Sequence, residues 1–158
     1  MFEILYCLDE NYNEQTIVSM FSLISKNNVD FNFHIIHENP ESFKKSLKSS
    51  SKNFDLTNVN IYKFNETNFT FPKVQNSHVS KATYYRLFIS DYLPNNLEFI
   101  TYIDADILCF KDPVDEIQKQ INGMQEAGNP ISVVTEMVGN EEYIENLSLK
   151  QDKYFNAG

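Results

Sequence analysis

The chain has 158 residues, a formal net charge of −9, and hydrophobic and aromatic fractions of 42% and 14%. That length suits one domain with a sizeable core, and the apolar content excludes a disordered chain. The acidic balance would repel a phosphate backbone, so no nucleic-acid partner is expected.

Phe2 to Leu8 (FEILYCL) is almost continuously apolar, the pattern of a strand covered on both faces of a parallel sheet. Asp9-Glu10-Asn11 ends it with turn formers. Ile17, Met20, Phe21 and Ile24 then recur at helical spacing, and Asn27-Asn28 closes that helix. Phe31 to His37 (FNFHIIH) reads as a second strand, stopped by Asn39-Pro40. His34 alternates with Phe33 and Ile35 along it and is expected on a solvated face. This strand–helix–strand opening predicts a right-handed crossover and a doubly wound α/β sheet, mainly parallel and flanked by helices.

Ser42 to Asn53 is rich in Lys and Ser and predicts a short surface helix that frays into a loop. Val59 to Phe64 alternates like a third strand. Asn65 to Asn76 contains Pro72 and reads as a long loop, a form that often serves ligand binding. Ser80 caps a predicted helix through Tyr92, with Tyr84, Leu87, Phe88 and Tyr92 as its apolar core stripe. Phe99 to Ile103 is a further buried strand, and Ile107 to Phe110 is again extended. Asp112-Pro113 opens a helix, Ile131 to Thr135 is a strand, and Glu141 to Leu149 is helical. No repeat or flexible linker interrupts the chain, so residues 1–158 are expected to form a single domain.

Cys7 and Cys109 are the only cysteines. With apolar neighbours and no CxxC spacing they are expected as buried free thiols, which suits a reducing cytoplasm. Met1 is followed by neither a basic region nor a cleavage site, and no apolar run approaches the length of a membrane span. The sequons at Asn65, Asn68 and Asn146 are chance occurrences in an Asn-rich chain.

The segment that carries chemistry is Phe99-Ile100-Thr101-Tyr102-Ile103-Asp104-Ala105-Asp106. A buried strand delivers two carboxylates at its carboxyl end, where open α/β sheets bind ligands. Extended backbone would send Asp104 and Asp106 to the same side. Two adjacent carboxylates repel unless a cation or a shared proton intervenes, and hard oxygen ligands suit Mg²⁺ or Mn²⁺. Such an ion lets an acidic protein hold an anionic diphosphate. A solvated surface turn is the bland alternative. Haloacid-dehalogenase-like phosphatases also use a strand ending in D-x-D, but their motif lies near the chain start and carries Thr or Val where this chain has Leu108.

In four blocks, in order, the sequence resembles glycosyltransferase family 8, which includes bacterial lipopolysaccharide galactosyl- and glucosyltransferases. These blocks are Ile4 to Tyr12 (ILYCLDENY), Thr83-Tyr84-Tyr85-Arg86-Leu87, Tyr102 to Leu108 (YIDADIL) and Tyr154 to Gly158 (YFNAG). The resemblance implies a GT-A (Rossmann-like) fold and a retaining, Mn²⁺-dependent (or Mg²⁺-dependent) transfer of a hexose. The donor would be UDP-glucose or UDP-galactose, and the acceptor a glycan, lipopolysaccharide or glycoprotein hydroxyl.

Residue by residue, the resemblance implies that Asp9, Asn11 and Tyr12 contact uracil and ribose. Arg86 would bind the donor's sugar or phosphates. Asp104 and Asp106 would bind the metal, and Asp104 the ribose as well. Ala105, Asn156 and Ala157 would line the donor site, and Glu136 stands where the family often has a catalytic Asp. Relatives continue well past the Y-F-N-A-G block and supply a further metal-binding His, so this chain is expected to be an N-terminal portion. A cytoplasmic location is expected, with peripheral attachment to the inner face of the membrane through the part that follows. Two further functions remain: a catalytically silent UDP-sugar-binding module and a D-x-D phosphatase.

Several of these residues also have plain structural readings. Asp9 serves as a turn former, Tyr12 as the first turn of a helix, His78 as a loop residue and Asp112-Pro113 as a helix start. Arg86 is the chain's one arginine, and a bidentate phosphate contact suits it better than lysine.

Overall fold

Strand β1 (Phe2–Leu8) has no solvated side from Ile4 onward. Its alternate residues feed two cores, Ile4, Tyr6 and Leu8 entering one and Leu5 and Cys7 the other. This is the physical meaning of the continuous apolar run. β1 lies inside a four-stranded sheet of order β3-β2-β1-β4, formed with β2 (Phe31–His37), β3 (Val59–Lys63) and β4 (Thr101–Tyr102). All three pairings are parallel, so every strand ends at the same edge.

The computed structural model describes residues 1–26, 29–50, 58–65, 71 and 80–133, with the backbone alone of 135–137 and 153–155. The reading of Asn27-Asn28 as a helix end, most of the 65–76 loop, His78, the predicted helix over 141–149, and Asn156-Ala157 lie outside the described residues. Chain contacts divide the molecule into Met1–Asp115 and Glu116–Gly158.

In the first unit, helix α1 (Asn13–Ile24) buries Ile17, Met20 and Leu23 against the first core. Ile24, expected on that stripe, is exposed instead, because the small residues Thr16 and Ser19 also face inward. The Ser19 hydroxyl and Tyr6 OH share a hydrogen bond of 2.8 Å, which explains why a polar residue occupies that position. Helix α2 (Pro40–Ser50) starts at a proline and adds Phe43 and Leu47 to the same core.

The opposite face is covered by Lys81–Asp91, with Phe64 from the end of β3. This segment is 3-10 helical rather than the expected single α-helix, in two stretches that meet at a kink where Phe88 is non-helical (φ −117, ψ 17). The Ser80 hydroxyl caps it by accepting from Ala82 N at 3.2 Å. A repeat of three residues turns Ala82, Tyr85 and Phe88 toward the sheet and leaves Leu87 67% exposed. The expected stripe of Tyr84, Leu87, Phe88 and Tyr92 is therefore corrected at Leu87, and its missing centre is Tyr85, stacked on Phe64 at 3.8 Å between ring centroids.

His34 is a second correction. It is buried, not solvated, because this face of β2 is covered. Its Nε2 lies 2.7 Å from Glu3 Oε2, its Nδ1 2.9 Å from Tyr62 OH, and its ring stacks on Tyr62. Cys7 is buried and Cys109 only half-buried; both are free thiols. β4 holds two residues rather than the five expected, since a turn over Asp104–Ile107 draws the chain off the ladder. Ile107, Leu108 and Phe110 are exposed beyond it.

Asp112 Oδ1 accepts from Val114 N at 3.0 Å and opens helix α3 (Val114–Ala127). In the second unit Gly128 ends α3 at φ 65, with Asn129 N bonded to Met124 O at 3.0 Å. This is a left-handed glycine cap. Pro130 follows, and residues 131–133 form no ladder. The strand expected over Ile131–Thr135 begins only at Thr135: β5 (Thr135–Met137) pairs antiparallel with β6 (Lys153–Phe155).

The three-residue repeat over 82–88 makes a direct prediction. Leu87→Ala should change stability by less than about 0.5 kcal/mol, whereas Tyr85→Ala should cost about 3 kcal/mol or more. Urea midpoints of the two variants check this, and equal losses would restore the α-helical stripe.

Candidate functional site

Because the sheet is parallel, the loops after β1, β2 and β4 leave from one edge. Tyr102 pairs with Leu5, and Ile103 N donates to Leu5 O at 3.0 Å, so the chain is held to β1 up to the residue before Asp104. Tyr102 and Ile100 pack against the core beneath the 3-10 helix, while Ile103 and Ala105 pack against the other. Asp104 thus leaves the sheet on Tyr102's side.

Arg86 meets Asp104 there. Its Nε donates to Thr83 O at 2.9 Å, a bond that the tight helical repeat allows. Its Nη2 lies 3.4 Å from Asp104 Oδ1, and its Cζ lies 4.1 Å from the centroid of the Tyr102 ring. The Tyr102 hydroxyl donates to the same Oδ1 at 2.8 Å. Burial pushes the Tyr102 hydroxyl's pKa well above the usual tyrosine range; the Arg86 charge opposes this and the Asp104 charge adds to it. The group therefore stays protonated and remains a donor. Beside it, burial pushes the Cys7 thiol up to about 12, again opposed by Arg86 and reinforced by Asp104. Cys7 is a packing residue without nucleophilic character at neutral pH.

Asp106 is exposed on the turn in which Ile107 N donates to Asp104 O at 3.2 Å. The backbone after Asp104 is thus bent, not extended as the sequence suggested. Both carboxylates stand on one turn, with Ala105 half-buried between them. Their hard oxygens fit Mg²⁺ or Mn²⁺, which are commonly held by one or two carboxylates plus substrate phosphates. Among the described residues no group of three or more His, Cys, Asp or Glu side chains is placed to hold a metal ion.

The loop after β1 is built by capping. Asp9 Oδ1 accepts from Asn11 N at 3.0 Å and starts a 3-10 turn over Glu10–Tyr12. Asn11 is exposed at its tip, while Tyr12 is half-buried against the first core. The loop after β2 is tied to it through His37. The His37 Nδ1 accepts from Asn39 N at 2.8 Å, so Nε2 carries the hydrogen and donates to Asn13 Oδ1 at 2.9 Å. Asn13 passes the chain on to Ser42 Oγ at 2.8 Å, and Asn39 also donates to Glu10.

Sequence reasoning placed Tyr102 in the D-x-D segment without giving it a role, and missed His37 and Asn13 as parts of this site. The role was findable, since Tyr102 stands two residues before Asp104 on a strand. Nothing in the sequence points to the His37–Asn13 link. Glu136 lies in β5 opposite Tyr154 and belongs to the other unit.

The family model described as "Glycosyl transferase family 8" matches residues 3–158. A lipopolysaccharide 1,2-glucosyltransferase of Escherichia coli is 28% identical over 170 residues, covering 99% of this chain and 46% of that protein. A probable galacturonosyltransferase-like protein of Arabidopsis thaliana is 27% identical, covering 71% of this chain and 32% of its own length. The chain thus spans under half the length of these curated relatives. Among solved structures, galactosyltransferase LgtC in complex with donor and acceptor sugar analogs superposes with a TM-score of 0.77 at 18% identity, over 99% of this chain and 56% of that one. The fold is the mixed α/β fold of LgtC.

Burial lowers the His37 pKa below 6.5; the charges of Glu10 and Asp9 oppose the shift without reversing it. The unfolded chain therefore binds a proton that the folded one refuses, so this contribution to stability is complete above pH 6.5 and is lost as pH falls through the folded value. Urea midpoints between pH 7.5 and 5.5 should fall more for the wild type than for His37→Gln. Parallel curves would show that His37 is not the group refusing the proton.

Proposed function

Since the chain belongs to glycosyl transferase family 8, we propose that it is the donor-binding part of a retaining hexosyltransferase. The enzyme would move glucose or galactose from a UDP-sugar to a saccharide or other hydroxyl acceptor. One observation supports this reading above the rest: Arg86, Tyr102 and Asp104 converge at the carboxyl edge of the sheet, next to the turn carrying Asp106. An anionic ligand there meets a planar cation and two carboxylates able to recruit a divalent ion.

The roles follow from the chemistry of each group and the family resemblance. Asp104 and Asp106 would hold Mn²⁺ or Mg²⁺, which when bound would neutralise charge on the departing diphosphate. Arg86 offers its remaining N–H donors to phosphate or sugar oxygens. Asp9, Asn11 and Tyr12 line the uridine side, where Asp9 also caps its own turn. The family resemblance alone assigns Ala105, Asn156 and Ala157 to the sugar and Glu136 to catalysis. Relatives named for lipopolysaccharide synthesis support a cell-surface glycan as acceptor. No helix among the described residues is long and apolar enough to cross a membrane, and attachment to a cytoplasmic membrane face through further sequence fits this reading.

The test is a panel of UDP-hexoses with Mn²⁺ and the full-length protein, reading UDP release. Asp106→Ala should lower release about 100-fold or more, the equivalent of about 2.7 kcal/mol of lost charge stabilisation. Undiminished turnover in that variant would sink the metal assignment. Donor binding with no release would instead favour a silent binding module. Phosphate release with covalent capture on Asp104 would favour a phosphatase.

A further inference from the structure

The triangle of Arg86, Tyr102 and Asp104 is unevenly held. Charge-assisted hydrogen bonds from nitrogen to carboxylate run at about 2.7–2.9 Å. The contact from Arg86 Nη2 to Asp104 Oδ1 is 3.4 Å, so it is too long to fix either partner well. The short bond in the group is the one from the Tyr102 hydroxyl to Oδ1, at 2.8 Å. The Arg86 guanidinium lies over the Tyr102 ring at 4.1 Å, within the range of a cation–π contact. Asp104 is therefore held more closely by the tyrosine than by Arg86, and Arg86 rests on the ring of the same tyrosine.

The tyrosine in turn has little freedom. Its backbone is in the ladder with Leu5, and its ring packs against the core formed by Leu5, Cys7, Ile36, Phe64, Ala82 and Tyr85. Among the described residues, both hydrogen bonds to the Asp104 carboxylate fall on Oδ1, so these bonds leave Oδ2 for other partners. The bonds of Arg86 engage Nε and Nη2, and a guanidinium has five N–H donors in all. A phenylalanine would pack against the same core, so packing alone does not call for the hydroxyl.

We propose that Tyr102 is a positioning residue of this site, whose ring seats Arg86 and whose hydroxyl fixes the Asp104 carboxylate. It acts through those two residues, and the proposal rests on the donor-site reading given above. A hydrogen bond to a metal-ligating carboxylate commonly governs metal affinity by about 10- to 100-fold.

The test compares the wild-type chain with Tyr102→Phe and Tyr102→Leu. Arg86 is the only arginine, so one side-chain Nε–H signal in a nitrogen–proton NMR spectrum reports its surroundings without assignment. That signal should be displaced by the ring in the wild type and in Tyr102→Phe, and should return to the free-arginine position in Tyr102→Leu. Mn²⁺ affinity in the presence of UDP, by calorimetry on the full-length protein, should fall about ten-fold or more in Tyr102→Phe while its thermal midpoint stays near wild type. A merely structural tyrosine would lower the midpoint and leave Mn²⁺ affinity alone. Wild-type Mn²⁺ affinity in Tyr102→Phe overturns the proposal and leaves the donor site standing. An arginine signal unmoved by Tyr102→Leu overturns the seating of Arg86. No Mn²⁺ affinity in the full-length wild type overturns the donor-site reading itself, and the role of Tyr102 in it. Should Tyr102→Leu not fold, the affinity of Tyr102→Phe decides alone.

Discussion

A strand with no face toward water must have something packed on both sides of it, and β1 is such a strand. Its five residues from Ile4 to Leu8 are all buried, each apolar side chain gaining about 1.5–3 kcal/mol from leaving water. That requirement places α1 and α2 on one side and the 3-10 helix on the other. It also fixes where polar chemistry can begin. The chain turns polar at Asp9 beyond β1 and at Asp104 beyond β4, and parallel pairing sets these two departures at the same edge. The site is where the apolar requirement ends.

The local charges are arranged on that boundary. Arg86 is mostly buried, with its aliphatic stem and planar head between the helix and the Tyr102 ring. A cation there is less screened than one on the surface, so its effect on Asp104, Cys7 and any arriving anion is larger. The neutral Tyr102 and Cys7 add no charge of their own to offset it. Around this cation the chain is acidic overall, which keeps non-specific polyanions away and leaves the arginine to attract a small one.

Much of this was legible in the residues. The run Phe2–Leu8, the break at Asp9 and the strand leading to Asp104 led to the sheet edge, and the four sequence blocks led to the family. The failures have definite causes. Leu87 was placed inside because apolar spacing was read with a period of 3.6, and the segment repeats every three residues. His34 was placed in water because alternation shows that two faces differ but not that one is wet. Here the second face holds Glu3 and Tyr62, which satisfy the imidazole, and Asn32 and Asn60, of which Asn32 donates to Glu3 and Asn60 to Asn32. The bend after Asp104 was missed because no glycine or proline announces it; a backbone bond from Ile107 makes it. The link from His37 to Asn13 joins residues from two elements and has no local signature at all.

The strand order has a consequence for how the protein comes into being. β1 pairs with β2 over its whole length once about 37 residues exist, but its other edge waits for Thr101 and Tyr102, roughly 65 residues later. During synthesis, at about 5–20 residues per second, that edge stands open for several seconds. It is apolar, the kind of surface on which chains join each other wrongly. The segment that closes it is the one that carries Asp104, so a nascent chain shields its stickiest edge and assembles its charged site in a single late event.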